Sequence, residues 1–255
     1  MPDAVQIGSP LRRAFAHNDY ARERPLYDAL EHGFTAIEVD VFLEEGQLLV
    51  GHGTRDLLPH RTFESLYLDP LAELVESRGH VWDDWPLTLL IDVKSEARSS
   101  YVAIHDALAR RDDMLTQHRH DGRLTGPVTA VVSGHTDAGL MARQQVRYAT
   151  RDGRPGDLVD GLSAVTTTIS AKFGKLFDWD GRGRMPTDQR EGLRRLVGEI
   201  HRTGRGARFW GTTQDMWPEL LTAGVDQIIA DDLPALRELL ISRGGGTPTT
   251  GRATE

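Results

Sequence analysis

The chain has 255 residues, of which 39% are hydrophobic, and it carries a formal net charge of -8 with no cysteine. This length fits one large domain or two small ones with a sizeable core. The acidic balance argues against a nucleic-acid partner, and the lack of cysteine excludes disulfides, thiolate metal ligands and cysteine nucleophiles. No apolar run in the sequence is long enough to cross a bilayer.

Apolar alternation between turn residues predicts eight strands separated by helices, after an irregular lead-in over residues 1–10. The predicted strands, in chain order, are residues 11–16, 35–43, 87–93, 128–132, 146–149, 164–169, 207–210 and 225–230. The predicted helices are residues 25–32, 63–77, 99–110, 137–145, 187–203, 216–223 and 233–242. Residues 47–50 return the chain after the second strand, and the predicted loops are residues 53–61, 151–155 and 172–186.

This order of elements predicts an α/β fold, a single-domain (β/α)8 TIM barrel over residues 1–243, followed by a disordered Gly/Thr/Pro tail at 244–255. A doubly wound open sheet is the alternative, and it predicts a glycine-rich phosphate loop after an early strand. The first strand is followed by H-N-D-Y instead. The barrel is therefore the favoured fold.

The second predicted strand carries two carboxylates on one face. Its sequence is T-A-I-E-V-D-V-F-L, so Glu38 and Asp40 lie opposite the apolar face. Two adjacent carboxylates repel each other and lose hydration when buried, so they need a nearby cation. A hard divalent metal binds such oxygen ligands. The alternative is an amphipathic edge strand whose polar face is in water.

Other polar residues follow or end the predicted strands. His17 follows the first strand and His52 follows the return after the second, while Asp92 and Lys94 end the third. The carboxyl ends of barrel strands meet at one face, so the fold would gather these residues. Asp92 is then a third metal ligand, and Lys94, one of only three lysines, is a cation for an anionic substrate. An ordinary ion pair between Asp92 and Lys94 is the alternative.

A metal, two histidines and a lysine suit the chemistry of a phosphodiester. One histidine would remove a proton from the attacking hydroxyl, and the other would protonate the leaving oxygen. His135 and Trp210, after the fourth and seventh strands, are candidate substrate contacts. The alternatives are that His135 is an ordinary histidine of a surface loop and that Trp210 is a tryptophan packed in the barrel. Aromatic residues of the loop at 172–186, namely Phe173, Phe177 and Trp179, either reach lipid or pack over the barrel mouth.

The motifs H-N-D-Y, E-V-D and G-H-G together resemble the phosphodiesterase superfamily with a phospholipase-C-like barrel. F-W-G-T and A-G-V-D-Q-I-I-A-D-D-L-P resemble the closing motifs of its glycerophosphodiester branch. The resemblance implies that His17 and His52 are catalytic. It also implies that Glu38, Asp40 and Asp92 bind metal, and that Lys94 binds phosphate.

Asn18 separates branches of this superfamily. Glycerophosphodiesterases usually have His-Arg-Gly where this chain has His-Asn-Asp, and R-P-L-Y replaces their Pro-Glu-Asn-Thr motif. His-Asn is similar to the calcium-dependent inositol phospholipases, where the asparagine also binds metal. The resemblance thus implies Asn18 as a further metal ligand and Ca²⁺ as the cofactor, with Mg²⁺ as the alternative.

The resemblance implies a metal-dependent phosphoric diester hydrolase of lipid metabolism, with a phosphatidylinositol-like phospholipid or a glycerophosphodiester as substrate. An adjacent substrate hydroxyl would attack first and give a cyclic phosphate. Two alternatives stay open: a non-catalytic barrel that binds phosphorylated ligands, and a sugar-acting barrel enzyme. We expect a monomer in transient contact with a membrane surface and no nucleic-acid partner. It would be either cytoplasmic or secreted after loss of a signal peptide.

Overall fold

A computed structural model describes residues 7–161 and 163–244 of the chain. Apart from Gly244, the predicted C-terminal tail lies outside these described residues, as does most of the lead-in. Within the described ranges, no helix combines the length and the apolar composition that crossing a membrane requires.

The chain alternates strands and helices throughout. The strands are β1 Leu11–Ala16, β2 Phe34–Glu44, β3 Gln47–Val50, β4 Leu87–Val93, β5 Gln117–Arg119, β6 Gly122–Leu124, β7 Val128–Gly134, β8 Val146–Arg147, β9 Ala149–Gly153, β10 Thr166–Lys172, β11 Gly206–Trp210 and β12 Gln227–Ala230. The helices are α1 Tyr27–Glu31, α2 Asp69–Arg78, α3 Ala97–Ala109, α4 Ala138–Ala142, α5 Asp157–Asp160, α6 Thr187–Arg202, α7 Trp217–Ala223 and α8 Leu233–Ser242. Most predicted strands agree with these bounds to within a few residues.

Eight of the strands form a closed parallel barrel. Their order is β1-β12-β11-β10-β9-β7-β4-β2, and pairing of β1 with β2 closes the ring. Each neighbouring pair in this ring is parallel, as a (β/α)8 barrel requires. The predicted TIM barrel is confirmed. Strand β3 adds to the outside of the ring by antiparallel pairing with β2.

The fifth barrel strand differs from its prediction. It is β9, whereas the sequence pattern placed a strand at 146–149 and a loop at 151–155. Residues 146–147 instead join β5 and β6 in a small antiparallel sheet that was not predicted. The reason is that β9 buries the charged side chain of Asp152 in the barrel, so the apolar signal of a buried strand is missing.

The helix predicted at 63–77 is helical without a break from Phe63 to Arg78. A π-helical turn at Glu64–Leu68 precedes α2, and Pro70 lies in the first turn of α2. The π-helical turn changes the hydrogen-bond spacing just before Pro70, whose nitrogen has no hydrogen to donate.

The apolar core has two parts, one on the outer face of the barrel strands and one on their inner face. The larger part lies between the strands and the surrounding helices and includes Ile37, Val39 and Val41 of β2. A second, separate cluster fills the barrel interior and consists of Phe15, Ala36, Leu90, Val131 and Ile229. Side chains alternate along a strand, so the residues two positions further on face the same interior closer to its carboxyl-terminal mouth. Those residues are polar, and they build the site.

The aromatic residues of the late loop belong to the larger core. Phe173 is fully buried and packs edge-on against Phe209, with the ring centroids 6.2 Å apart. Trp179 is also buried and contacts Phe173. The loop therefore uses these rings to pack on the outer side of β11.

Candidate active site

Three carboxylates converge at the mouth of the barrel. One oxygen each of Glu38, Asp40 and Asp92 lies within 4.8 Å of the other two. We call these residues the acidic trio. Asp40 and Asp92 are direct partners of β2 and β4, and Glu38 lies one level deeper on the same face. The predicted grouping of these residues is thus present in the fold.

The acidic trio has the properties of a cation site. Glu38 is 8% exposed and Asp40 is 1% exposed. Within the described part of the chain, Glu38 Oε2 and Asp40 Oδ1 are buried without a hydrogen-bond partner. Burial raises the pKa of both carboxyl groups, because it removes water from the charged form. A divalent cation would satisfy these oxygens and offset their repulsion.

Gly134 at the end of β7 leaves room for Asp92. Its φ is +70°, a left-handed conformation that favours glycine. A β-carbon at this position would lie 2.4 Å from Asp92 Oδ1 and 2.4 Å from the carbonyl oxygen of Val93. The S-G-H turn therefore holds one member of the trio in place.

Lys94 lies within the acidic trio. Its Nζ donates to Asp92 Oδ2 at 2.5 Å and lies 3.2 Å from Asp40 Oδ2. Burial by itself lowers the pKa of Lys94, but the two carboxylates outweigh it and raise the pKa. The ion pair with Asp92, expected as an alternative, is present together with a second partner. The ammonium group offsets part of the charge of the trio.

His17 is oriented by an acid from the far end of the chain. Its Nδ1 is 2.8 Å from Asp231 Oδ1, and its Nε2 is 3.7 Å from Glu38 Oε2. His17 follows β1 and Asp231 follows β12, which are neighbours in the barrel. Sequence reasoning gave Asp231 no role, although an acid directly after the last strand was a usable signal.

Tyr20 connects His52 to the acidic trio. Its hydroxyl donates to Asp40 Oδ2 at 2.8 Å and lies 3.3 Å from His52 Nδ1 and 3.0 Å from Asn18 Oδ1. Burial and the nearby carboxylates raise the pKa of Tyr20, so the hydroxyl keeps its proton. His52 Nδ1 itself is 3.5 Å from Asp40 Oδ2. Tyr20 belongs to the H-N-D-Y motif, but the sequence assigned it no function.

The third residue of that motif anchors the loop. Asp19 is fully buried and accepts hydrogen bonds from the Leu26 amide at 2.6 Å and the Tyr67 hydroxyl at 3.0 Å. Burial raises its pKa to about 6. Asn18 has a φ of +45°, which turns the chain so that Asn18 and Asp19 point in different directions.

A buried polar network lies on the other side of the barrel interior. Asp152 Oδ2 accepts from Ser133, Ser170, Arg154 and Arg208 at 2.7 to 2.9 Å. We call these five residues the Asp152 network. Burial raises the pKa of Asp152, but the positive charges of Arg208 and Arg154 and the two serine hydrogen bonds outweigh it, so the pKa is lowered. The network was not predicted, because four of its members come from four different strands, the fifth follows β9, and they share no common motif.

The two predicted substrate contacts lie at the rim. His135 is exposed, and its Nδ1 is 2.9 Å from the carbonyl oxygen of Ser95, so the observed contact is with a loop and not with the trio. Trp210 ends β11 and is 38% exposed, and Lys172 Nζ lies 5.8 Å from its ring centroid.

The fold is similar to that of bacterial phospholipases. A calcium-dependent phosphoinositol-specific phospholipase C from a Pseudomonas species aligns with a TM-score of 0.57 at 12% identity, covering 91% of this chain and 93% of that one. A phosphatidylinositol-specific phospholipase C from Listeria monocytogenes aligns with a TM-score of 0.50 at 9% identity, covering 94% and 95%. At such low sequence identity, the structural similarity shows a shared fold.

The chain has relatives among fungal proteins. An "Altered inheritance of mitochondria protein 6 homolog" from Arthroderma benhamiae is 28% identical over 87% of this chain and 82% of its own length. "Altered inheritance of mitochondria protein 6" from Eremothecium gossypii is 30% identical over 89% of this chain and 69% of its own length. Residues 9–152, which include the acidic trio and both histidines, match the family described as the AIM6-like phosphodiesterase domain. The chain belongs to the AIM6-like phosphodiesterase domain family.

Proposed function

We propose that this protein is a metal-dependent phosphoric diester hydrolase that acts on a phospholipid or on its deacylated head group. The observation that carries the proposal is the convergence of three carboxylate oxygens within 4.8 Å, with His17 and His52 each within 4 Å of one of these side chains. The family match and the phospholipase-like fold support the same reaction class.

The cation would be held by the acidic trio, with the Asn18 carboxamide as a further oxygen donor beside it. When bound, it would supply positive charge that stabilises the negative charge gathering on the phosphoryl oxygens. The carboxylate and carboxamide oxygens are ligands that both Ca²⁺ and Mg²⁺ accept. We propose Ca²⁺, since a structural neighbour is described as calcium-dependent, and Mg²⁺ is the alternative.

His17 is proposed as the general base. Asp231 fixes the Nδ1 side of the ring, so Nε2 faces the trio and can take the proton of the attacking hydroxyl. The Asp231 carboxylate stabilises the imidazolium that forms. The hydroxyl oxygen then bonds to phosphorus. An attacking hydroxyl on the substrate itself gives a cyclic phosphate, and an attacking water gives the open product.

His52 is proposed as the general acid. The ester bond to the leaving oxygen breaks as His52 donates a proton to that oxygen, so the leaving group departs as a neutral alcohol. Tyr20 and Asp40 hold the Nδ1 side of His52, although most of this side chain is open to solvent and to a substrate. After the reaction His17 carries an extra proton and His52 has lost one. Proton exchange with solvent restores both residues.

Phosphorus NMR on phosphatidylinositol and on glycerophosphodiesters, with Ca²⁺, Mg²⁺ or EDTA, tests this proposal. We expect turnover with one of the metals, its loss in EDTA, and a fall of at least about a hundredfold in His17→Ala and His52→Ala. His120→Ala is the matched control, because His120 is exposed at the tip of the β5–β6 hairpin. Turnover in EDTA, or near-normal turnover in either site variant, contradicts the proposal. Metal-dependent binding without turnover favours the non-catalytic barrel.

A further inference from the structure

We propose a second oxyanion subsite at the barrel mouth, formed by Arg154, Lys172 and Trp210, which takes a phosphomonoester carried by the head group of the substrate. The inference rests on the proposed function, because the phosphomonoester is taken to be part of the proposed phosphodiester substrate. The subsite itself is built from residues that sequence reasoning assigned to no metal or proton-transfer role.

The strand order places this subsite across the mouth from the acidic trio. Strands β4, β7 and β9 separate β2 from β10 on one side of the ring, and β1, β12 and β11 separate them on the other. Lys172 on β10 is therefore diametrically opposite Glu38 and Asp40. By the same count, β11 with Trp210 is opposite β4, and β9 is opposite β1, so Arg154 faces His17.

Side-chain alternation points the three residues toward the mouth. Each lies two residues beyond a member of the Asp152 network that faces the barrel interior, so each occupies the same side one level higher. Lys172 and Trp210 are direct partners of β10 and β11, which agrees with the 5.8 Å between Lys172 Nζ and the Trp210 ring. Arg154 Nη1 donates to Ser170 Oγ at 3.0 Å and so lies beside β10.

The charge on this side of the mouth is positive. Asp152 is paired with the guanidinium groups of Arg154 and Arg208. The charge of the buried Arg208 also acts on Glu38, so the exposed cations on this side are Arg154 and Lys172. In the ranges that the structure describes, no carboxylate oxygen lies within 4.0 Å of Lys172 Nζ. The Arg154 side chain is 42% exposed, and Lys172 is exposed. The local charge around Arg154 and Lys172 is therefore opposite in sign to the net charge of the chain, which is -8.

A phosphomonoester matches these groups in charge and geometry. It carries about -1.5 to -2 charges at pH 7 and three acceptor oxygens. The Arg154 guanidinium and the Lys172 ammonium are the two cations that would receive it. The exposed face of Trp210 provides an apolar wall for the carbon skeleton that joins this phosphate to the scissile diester. A neutral head group would leave the Lys172 ammonium without a counter-charge, while Arg154 would keep its pair with Asp152.

Isothermal titration calorimetry with two probes tests the subsite without any need for turnover. The probes are myo-inositol 1,4-bisphosphate and myo-inositol 1-phosphate, measured at one salt concentration. We expect the bisphosphate to bind the unmodified protein at least about tenfold more tightly, and Lys172→Met to remove about tenfold of that preference. Lys175→Met is the matched control, since this exposed lysine lies three residues away outside the strand and should keep the preference.

The outcomes separate the subsite from the proposed function. Equal binding of the two probes by the unmodified protein overturns the subsite, as does a Lys172→Met variant that keeps the preference or weakens both probes equally. Lys172→Glu, a second exposed substitution, should reverse the preference through repulsion. A probe preference that depends on Lys172, in a protein that hydrolyses no phosphodiester, supports the subsite and removes the proposed function. With turnover present, the ratio of kcat/KM for phosphorylated over unphosphorylated head groups should fall in Lys172→Met.

Discussion

At the scale of single residues, each charged group at the mouth is defined by its immediate partners. Among the described residues, Glu38, Asp40 and Asp152 each have one buried oxygen without a hydrogen-bond partner, but the other oxygen of Asp152 accepts four hydrogen bonds, two of them from guanidinium groups. The pKa is therefore raised for the first two and lowered for Asp152. The same side-chain type is prepared to receive a cation at one position and is already neutralised at another.

Lys94 would compete with a metal at the acidic trio. Its ammonium group lies against both Asp40 and Asp92, so a divalent cation must displace it or share those oxygens. We expect Lys94→Met to bind Ca²⁺ about tenfold more tightly than the unmodified protein, measured by calorimetry. Lys175→Met should bind like the unmodified protein. Weaker binding in Lys94→Met would show that the ammonium does not oppose the metal.

His118 should make the protein sensitive to acid. Burial, with added repulsion from Arg147 and Arg123, lowers its pKa to about 4. The unfolded chain binds this proton near pH 6.5, so the contribution of neutral His118 is complete above that pH and is lost as the pH falls toward 4. Because the ring is partly exposed, solvent screening reduces the effect to about 1 kcal/mol.

Urea unfolding at pH 7.5 and pH 4.5 measures this effect. The unmodified protein should lose about 1 kcal/mol more stability between these pH values than His118→Asn does. His120→Asn, in the same hairpin but exposed, should lose as much as the unmodified protein. An identical loss in all three proteins would mean that His118 titrates normally when folded.

At the scale of elements, strand ends and the turns that follow them place the functional groups. The alternation of β2 puts both of its carboxylates inside the barrel, and the pairing of β2 with β4 brings Asp92 level with Asp40. The turn after β7 then has to pass close to Asp92, and only a residue without a β-carbon fits there.

Gly134→Ala should damage the metal site and the fold together. The new methyl group would meet Asp92 Oδ1 and the Val93 carbonyl, in addition to the cost of a positive φ. Gly46→Ala is the control, because Gly46 has a φ of +83° and a β-carbon added there would have no neighbouring atom within 4 Å. We expect both variants to lose about 1 to 2 kcal/mol in urea unfolding from the positive φ. Gly134→Ala should lose more and also lose Ca²⁺ affinity, and equal behaviour of the two variants would contradict this role.

At the scale of the whole molecule, the barrel mouth is divided into an acidic half and a basic half. The acidic trio and Asp231 lie on one side, and Arg154 and Lys172 lie on the other. A phosphodiester substrate, as proposed above, would therefore be oriented by the field of the protein before it makes close contacts.

A divalent cation should stabilise the whole fold, because it binds carboxylates that repel each other only when the barrel has formed. At a Ca²⁺ concentration a hundred times the Kd, the gain is about 2.7 kcal/mol. For a domain of this size, that corresponds to a rise in Tm of roughly 5 to 10 °C. Glu38→Gln should weaken the response, and EDTA should reverse it. A Tm that does not change with Ca²⁺ or Mg²⁺ would count against the metal site.

Long-range contacts explain which parts of the site were predictable. Alternation within β2, the D-V-K end of β4 and the histidines after strand ends are local patterns, and they predicted the acidic trio, Lys94, His17 and His52 as one group. Asp231 contacts His17 across 214 positions of sequence, and Arg208 contacts Asp152 across 56. No local pattern encodes such pairs.

The sequence by itself determined the barrel and the set of side chains that its mouth would gather, since strand alternation sets the face and parallel strands end on the same side. Only the tertiary structure decided which of these side chains touch: that Tyr20 links His52 to Asp40, that Asp231 orients His17, and that Lys94 lies among the acids. The physical reason is that closure of the ring sets the distances across the mouth, and ring closure is a property of all eight strands together.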